Sequence, residues 1–249
     1  MIGLADVQSF CATASAATTS AILFNAVQDI TARMGFRHFA LVHHIDVRGP
    51  EGSAVRLVDY PREWVDVFEE RRLYASDPIH RASQKTSIGF LWAHVDRMIS
   101  LTVRDRAVLA AARDVGIGEG FTIPAHIPGE VNGPCSFAMG ASDELDTEQL
   151  PFVQLVGNFA FEAARRINRP AGATQIPTPH LTDRQVECVA LVARGKTDWE
   201  IARILGVGSE TVSQHLKDAR DRYGVTKRTM LAIRALFDGA ISFTDILGS

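Results

Sequence analysis

Apolar and polar residues along this chain follow two different periods. From Phe36 to Ile45 they alternate, with Arg37, Phe39, Leu41 and His43 on one side and His38, Ala40, Val42 and His44 on the other, as in a strand. Val55 to Asp59, Gly89 to Trp92, Gly120 to His126 and Cys135 to Gly140 predict four more strands. Ser20 to Met34, Glu63 to Arg72 and Val103 to Val115 predict helices, the first of them entered through an Ala/Thr/Ser-rich stretch at 12 to 21. Asp146 to Ile167 predicts a long amphipathic helix with Leu150, Val153, Val156, Phe159 and Ala160 inward and Arg165 and Arg166 at its end. Strands separated by single helices, without steady βαβ alternation, predict an antiparallel sheet with helices on both faces, an α-β-α sandwich.

From residue 180 onward the period is helical throughout. Thr182 or Asp183 caps a first helix whose apolar face is Val186, Val189, Ala190 and Ala193, stopped at Gly195. Thr197 or Asp198 caps a second, with Ile201, Ala202, Ile204 and Leu205 inward. Gly206-Val207-Gly208 is a tight turn, and Ser209 caps a third helix through Val212, His215, Leu216 and Ala219 to about Tyr223. Two helices joined by a short glycine turn, the second with polar residues outward, is helix-turn-helix grammar. Before it, residues 168–179 read NRPAGATQIPTP, and the prolines cannot continue a helix. The expected fold class is therefore α+β: a sandwich domain with an antiparallel sheet at 1–167, a linker at 168–179, and an all-α helix-turn-helix bundle at 180–249.

Composition changes this picture little. The chain has 249 residues, 46% hydrophobic and 22% charged, long enough for two small cores. A net charge of −3 excludes a generally polybasic nucleic-acid binder, but residues 209–228 set Lys217, Arg220, Arg222, Lys227 and Arg228 against Glu210, Asp218 and Asp221, the local cationic surface that phosphates require. Without the helix-turn-helix spacing, these charges would read as a solvated face with pairs such as Asp218–Arg222. Three cysteines without a CxxC argue against a disulfide framework or a zinc site. No apolar run approaches the ~20 residues of a membrane helix, and the start of the chain has no secretion pattern, so a cytoplasmic protein away from membranes is expected.

The C-terminal blocks closely resemble the LuxR/FixJ type of DNA-binding domain: LTDRQVE, GKTDWEIA, SETVSQHL and YGVTKRTMLAI stand at that family's conserved blocks, without a gap over 180–240. On the third helix, Ser209 starts the segment expected in the major groove of promoter DNA. Ser213 and Lys217 point outward one turn apart, flanked by Glu210 and Gln214. Lys217 is the base-reading candidate, because lysine donates to guanine O6 and N7. Thr211 and Arg220 are phosphate candidates. The last helix, Thr229 to Gly239, offers Ala232, Ile233, Leu236 and Phe237 on one side, part of which would meet a second copy in a homodimer.

The segment from Tyr60 to Trp92 carries the other candidate chemistry. Trp64 and Phe68 share a helix face with Tyr60 at its entry, and Asp77-Pro78 follows. Read alone, this is core packing and a turn. The spacing resembles the autoinducer-binding domain of the LuxR quorum-sensing receptors over roughly residues 20–165, with Tyr-Pro-x-x-Trp, Asp-Pro, a later Trp and Cys135-Ser136-Phe137 as its signature. That resemblance implies an N-acyl- or aryl-homoserine lactone as signal. Trp64 would donate its indole N–H to the lactone carbonyl, Asp77 would accept the amide N–H, Tyr60 and Ser136 would donate to the acyl carbonyl, and Trp92 would pack on the lactone ring. Ala40, Val42, Ile79, Val108, Leu109, Ala112 and Ile117 are candidates for the tail pocket. Phe68 stands where some relatives carry Tyr. Arg56 reads as a charge pairing at the sheet margin; pointing inward, it would favour an oxygenated or aryl tail.

Nothing points to catalysis. Gly116–Gly120 follows a helix and precedes a strand, the wrong order for a dinucleotide fingerprint, and reads as a helix stop and turn. His43, His44 and His126 lack metal-ligand companions, there is no Gly-x-Ser-x-Gly elbow, and Ser136 beside Cys135 is not a nucleophile signature. No catalytic residue, metal or cofactor is expected. A phosphoacceptor receiver is disfavoured, since HHIDVRG rather than an acidic pair follows the first strand. A sequestering module with vestigial DNA reading is disfavoured by the intact recognition helix. The remaining alternative is an orphan receptor for a non-lactone or exogenous signal, such as a plant compound.

Overall fold

The computed structural model describes residues 2–42, 56–71, 73, 76–126, 133–168 and 179–247. They form two compact units, one ending at 168 and one beginning at 179. His43, His44, Val55 and most of the expected linker lie outside the described residues.

The first unit is built on a five-stranded antiparallel sheet of β1 (His38–Val42), β2 (Arg56–Val58), β3 (Phe90–Leu91), β4 (Ile117–Ile123) and β5 (Cys135–Gly140), in the order β2-β1-β5-β4-β3. Its helices are α1 (Leu4–Ala16), α2 (Ser20–Arg33), α3 (Arg62–Glu70), α4 (Pro78–Ser83), α5 (Val95–Met98), α6 (Val103–Asp114) and α7 (Leu150–Ile167). Helices α1, α2 and α7 cover one face, where Phe39, Leu41, Cys135, Phe137, Phe121 and Ile123 are buried. Phe24 of α2 packs on Phe39 with ring centroids 5.2 Å apart, and Phe36 on Phe137 at 5.7 Å. Helices α3 to α6 lie over the other face. The expected α-β-α sandwich is present.

Several details differ from the sequence expectation, the short helices α4 and α5 among them. Helix α1 was not anticipated: only Val7, Phe10 and Ala14 turn inward among small polar residues, a weak stripe. It is tied down by Arg166 of α7, which donates to the carbonyls of Ala14 and Ala17 at 3.0 and 2.8 Å. Strand β4 begins at Ile117, so the glycine-rich segment is strand and not turn. Gly116, at φ 87°, ends α6, and a register shift between Ile117 and Gly120 makes the stretch a bulge. Finally, Phe159 is exposed and not inward. Helix α7 meets the sheet at Gly157, where a Cβ would lie 2.8 Å from Ile123 Cδ1, and Leu155 and Phe159 fall on the opposite side of the helix.

The second unit is a bundle of α8 (Asp183–Ala193), α9 (Asp198–Leu205), α10 (Ser209–Tyr223), α11 (Arg228–Phe237) and α12 (Phe243–Leu247). Reciprocal capping boxes start α8 (Thr182 with Gln185) and α9 (Thr197 with Glu200), satisfying free N–H groups at both helix entries. The core is Cys188, Val189, Leu191, Val192, Ile201, Ala202, Val212, Leu216, Ala219, Leu231, Ala235 and Ile241. The buried stripe of α8 is thus rotated toward Cys188, Leu191 and Val192, leaving Val186, Ala190 and Ala193 half-buried. Ile204 is exposed, contrary to the expected inward position. Gly208, not Ser209, occupies the cap of α10, and Ser209 is its first residue. Helix α12 was not anticipated. No helix among the described residues is long and apolar enough to cross a membrane.

Candidate functional site

Antiparallel register places Val58, Ala40, Ser136, Thr122 and Phe90 side by side across all five strands. The two-residue period sends their side chains to the face under α3–α6. Ser136 and Thr122 are the polar members of this row, and their hydroxyls lie 2.8 Å apart. The Trp92 indole N–H donates to Thr122 Oγ1 at 2.8 Å, while the next N–H, of Ala93, donates to Glu119 at 2.9 Å. Trp92 is therefore held to β4 by its ring nitrogen and by its neighbour's backbone. It lies against Gly120, where a Cβ would come within 2.5 Å of the indole. Thr122 was missed by sequence reasoning. Its signal is a polar residue, fully buried, at a core-facing strand position.

Pro61 opens α3, so Trp64 falls in its first turn and Phe68 one turn later, with ring centroids 5.8 Å apart. Tyr60 stands before the helix, 5.9 Å from the His38 ring, which itself bonds the Asp59 carbonyl at 2.8 Å. Among the described residues, neither the Trp64 indole N–H nor the Tyr60 hydroxyl has a hydrogen-bond partner. Tyr60, Trp64, Phe68 and Trp92 pack in one cluster with Leu73, Val108, Ala112, Ile117 and Ala138. Three of the tail candidates, Val108, Ala112 and Ile117, thus meet the aromatic residues. Ile79 and Leu109 instead pack in an adjoining cluster with Ala82, Phe90 and Val95, to which Trp92 also belongs. Ala40 and Val42 are half-buried on β1. Arg56 pairs with Glu69 of α3 at the sheet margin.

Asp77 caps α4, its Oδ1 accepting from the Ile79 N–H at 2.9 Å. Burial of the carboxyl raises its pKa to about 6, against the pull of the Ile79 and His80 N–H groups; Asp105 raises it further and Arg81 opposes. Burial, then the Asp77 charge, pushes the Tyr60 phenol up. An ionised carboxylate has acceptor capacity beyond its cap, and the two phenol and indole donors leave donors available beside it. A largely apolar cluster whose few neighbouring polar groups differ in kind is the usual make-up of a small-molecule site.

In the second unit α9, the turn with Gly206 at φ 68° and α10 form the helix-turn-helix. Val212, Leu216 and Ala219 hold α10 to the core, which leaves Ser209, Glu210, Thr211, Ser213, Gln214 and Lys217 exposed and Arg220 half-buried. Ser213 donates to Asp198 at 2.8 Å and Gln214 to Asp218 at 2.6 Å, so both are already engaged within the unit. The side chains of Lys217 and Arg220 form no ion pair or hydrogen bond among the described residues. Arg222 bonds the His180 carbonyl, and Asp218 accepts from Gln214. On α11, Ala232 and Leu236 pack against the unit's own core, whereas Met230, Ile233 (57% exposed) and Phe237 (44%) form an outward apolar stripe.

Residues 19–164 match the family model described as "Autoinducer binding domain", and residues 179–235 match "Bacterial regulatory proteins, luxR family". The chain is 31% identical over 216 residues to the transcriptional activator protein AhyR of Aeromonas hydrophila, covering 85% of this chain and 82% of that one. It is 28% identical over 199 residues to the transcriptional activator protein LuxR of Aliivibrio fischeri, covering 76% of each. Among solved structures it resembles Escherichia coli SdiA in fold, with a TM-score of 0.64, 22% identity, and coverage of 94% of this chain and 96% of that one. A second SdiA structure, in complex with octanoyl-rac-glycerol, gives a TM-score of 0.65 at 21% identity, covering 97% and 99%.

Proposed function

The chain belongs to the LuxR family of autoinducer-binding transcriptional regulators, and we propose that it is a cytoplasmic, homodimeric receptor, not an enzyme, that binds an N-acyl- or aryl-homoserine lactone and double-stranded promoter DNA. Domain limits of 1–167 and 180–249, joined by a linker at 168–179, belong to this reading. One observation carries the ligand assignment: the Trp64 and Tyr60 donors share one apolar cluster with Trp92, which is joined through Thr122 to the Ser136 hydroxyl, and the Asp77 carboxylate acts on Tyr60. A lactone carbonyl, amide N–H and amide carbonyl on an apolar tail need such a set: two donors, one acceptor, and apolar walls.

Trp64 donates to the lactone carbonyl, Asp77 accepts the amide N–H, Tyr60 and Ser136 face the acyl carbonyl, and Trp92 offers its ring to the lactone. Val108, Ala112 and Ile117 line the near part of the tail pocket, with Ala40 and Val42 on the sheet side; Ile79 and Leu109 serve from the adjoining cluster. In the second unit, α10 enters the major groove with Lys217 reading a base, Ser209, Glu210, Ser213 and Gln214 around it, and Thr211 and Arg220 toward phosphates. The outward stripe of α11 supports the dimer.

Titration calorimetry of the full chain with acyl- and aroyl-homoserine lactones tests the ligand. Octanoyl glycerol belongs in the panel as the competing class, since the SdiA relative takes octanoyl-rac-glycerol. Lactone binding is expected; binding of the glycerol ester alone would move the assignment to a non-lactone signal. A gel shift on promoter DNA with and without the bound compound tests the output.

A further inference from the structure

Helix α6 buries three residues at helical spacing, Asp105, Val108 and Ala112. Two of them wall the candidate pocket. The third is a carboxylate, 1% exposed, on the same stripe. A buried charge needs a partner. Asp105 has one from across the site: Arg81 Nη1 reaches both of its oxygens, at 2.9 and 3.0 Å. Arg81 also donates to the Ser100 carbonyl at 3.2 Å, and Asp105 Oδ2 accepts from the Thr102 N–H and hydroxyl at 2.7 and 2.9 Å.

Arg81 sits four residues after Asp77, one turn along the same helix. That helix, α4, has six residues, too few to stand by itself. Its place is set by what it is fastened to. Arg81 fastens it to α6, and Asp77 is its cap. Among the described residues, the groups that act on the Asp77 carboxyl are Tyr60, the backbone at Ile79 and His80, Arg81 and Asp105. Burial keeps the Tyr60 phenol protonated, and burial, with His126 opposite, lowers His80 to about 4, so both stay neutral near pH 6. Arg81 and Asp105 are the charges that remain.

We propose that the Arg81–Asp105 pair is a positioning device for the ligand acceptor: it fixes the helix that Asp77 caps against the helix that walls the pocket, and it balances the charge beside the Asp77 carboxylate. The proposal rests on the reading of Asp77 as the acceptor for a lactone amide. Removing Arg81 leaves Asp105 facing Asp77 without its counter-charge, which favours a protonated Asp77, a weaker acceptor than the carboxylate. Removing the charge of Asp105 leaves Arg81 and favours the carboxylate. The two single changes therefore act in opposite directions on the pH at which binding is lost, although both weaken the packing.

The test is affinity against pH, from about 5 to 8, for the full chain with N-octanoyl-, N-dodecanoyl- and N-cinnamoyl-homoserine lactone, beside its melting temperature. In the wild type, binding falls as pH drops through about 6, and Asp77→Asn removes that dependence. With Arg81→Met the midpoint rises by about half a unit or more, with Asp105→Asn it falls, and in the double variant it returns toward the wild type. Arg81→Lys, which keeps the charge and loses the fork, keeps the midpoint and weakens affinity several-fold, and serves if Arg81→Met does not fold. A brace with no electrostatic part would lower affinity and melting temperature in both single variants with an unmoved midpoint; that result overturns the charge-balancing role. A wild type that binds none of the probes overturns the reading of Asp77 and the pair's role together, whereas a wild type that binds with variants that do not shift overturns the pair alone.

Discussion

On the proposed reading Asp77 meets two demands that pull apart: it caps α4 within the fold, and it offers an acceptor to a ligand. Because burial raises its folded pKa to about 6 from an ordinary carboxylate value, its contribution to stability is fully present below that ordinary value and is lost as pH rises through 6. Ionising the unliganded site therefore costs stability, and an amide N–H that favours the carboxylate returns it. The melting-temperature gain from a lactone should be larger at about pH 7.5 than at about pH 5.5; an equal gain at both would contradict the assignment. Asp77→Asn should weaken lactone binding by about tenfold or more, since hydrogen bonds to charged groups are worth roughly 1.5–3 kcal/mol, while the second unit stays folded. Unchanged affinity in that variant would remove Asp77 from the site. Gly120 gives an independent check on the ring beside it. With its Cβ 2.5 Å from the indole, Gly120→Ala must displace Trp92 and break its bond to Thr122. The indole fluorescence should change and lactone affinity should fall; an unaltered spectrum would mean the ring sits elsewhere.

On the proposed docking α10 carries the DNA chemistry, and Lys217 and Arg220, whose side chains have no partner among the described residues, should behave differently. Lys217→Ala should cost about 1–3 kcal/mol and relax preference at one base pair per half-site, whereas Arg220→Ala should weaken binding to all sequences and make its salt dependence shallower. Site selection with both variants checks this, and an unchanged base preference in Lys217→Ala would show that α10 is docked otherwise. This helix was legible in the sequence because short-range rules fix it: a 3.6-residue stripe at Val212, Leu216 and Ala219, and glycines at both ends. The same holds for the capping boxes of α8 and α9. Of the candidate ligand face the sequence offers residues but not their arrangement. That Ser136 meets Thr122, that Ile79 and Leu109 fall in a different cluster from Val108, and that Arg81 reaches Asp105 all depend on strand register and helix docking between residues far apart in sequence. Gly157 likewise decides which side of α7 is buried, and so exposes Phe159. A one-residue cap shift at Ser209 and an exposed Ile204 are the smaller cost of reading helix ends and faces from periodicity alone.

At the level of the molecule, ligand and fold should be linked. The aromatic cluster that would hold a lactone is also core of the first unit, so occupancy adds to stability by mass action, about 2.7 kcal/mol at a hundred times Kd. Soluble yield and melting temperature should both rise with a cognate lactone; a broad panel without any shift would dismiss the lactone. Assembly is tested on α11. Ile233→Glu with Phe237→Glu changes side chains that are largely exposed, so the unit should stay folded while light scattering shows monomers and affinity for a two-fold operator falls. A dimer that persists would place the interface elsewhere. The chain of contacts from Trp92 to Ser136 has a further consequence. An indole can only give a hydrogen, so Thr122 receives there. Between Thr122 and Ser136 either hydroxyl can be the giver. With Thr122 giving, Ser136 keeps its own hydrogen for a ligand's lone pair; with Ser136 giving, it meets the ligand with lone pairs alone. A carbonyl brought to that point selects the first arrangement, so Thr122 takes part in the choice without touching the ligand.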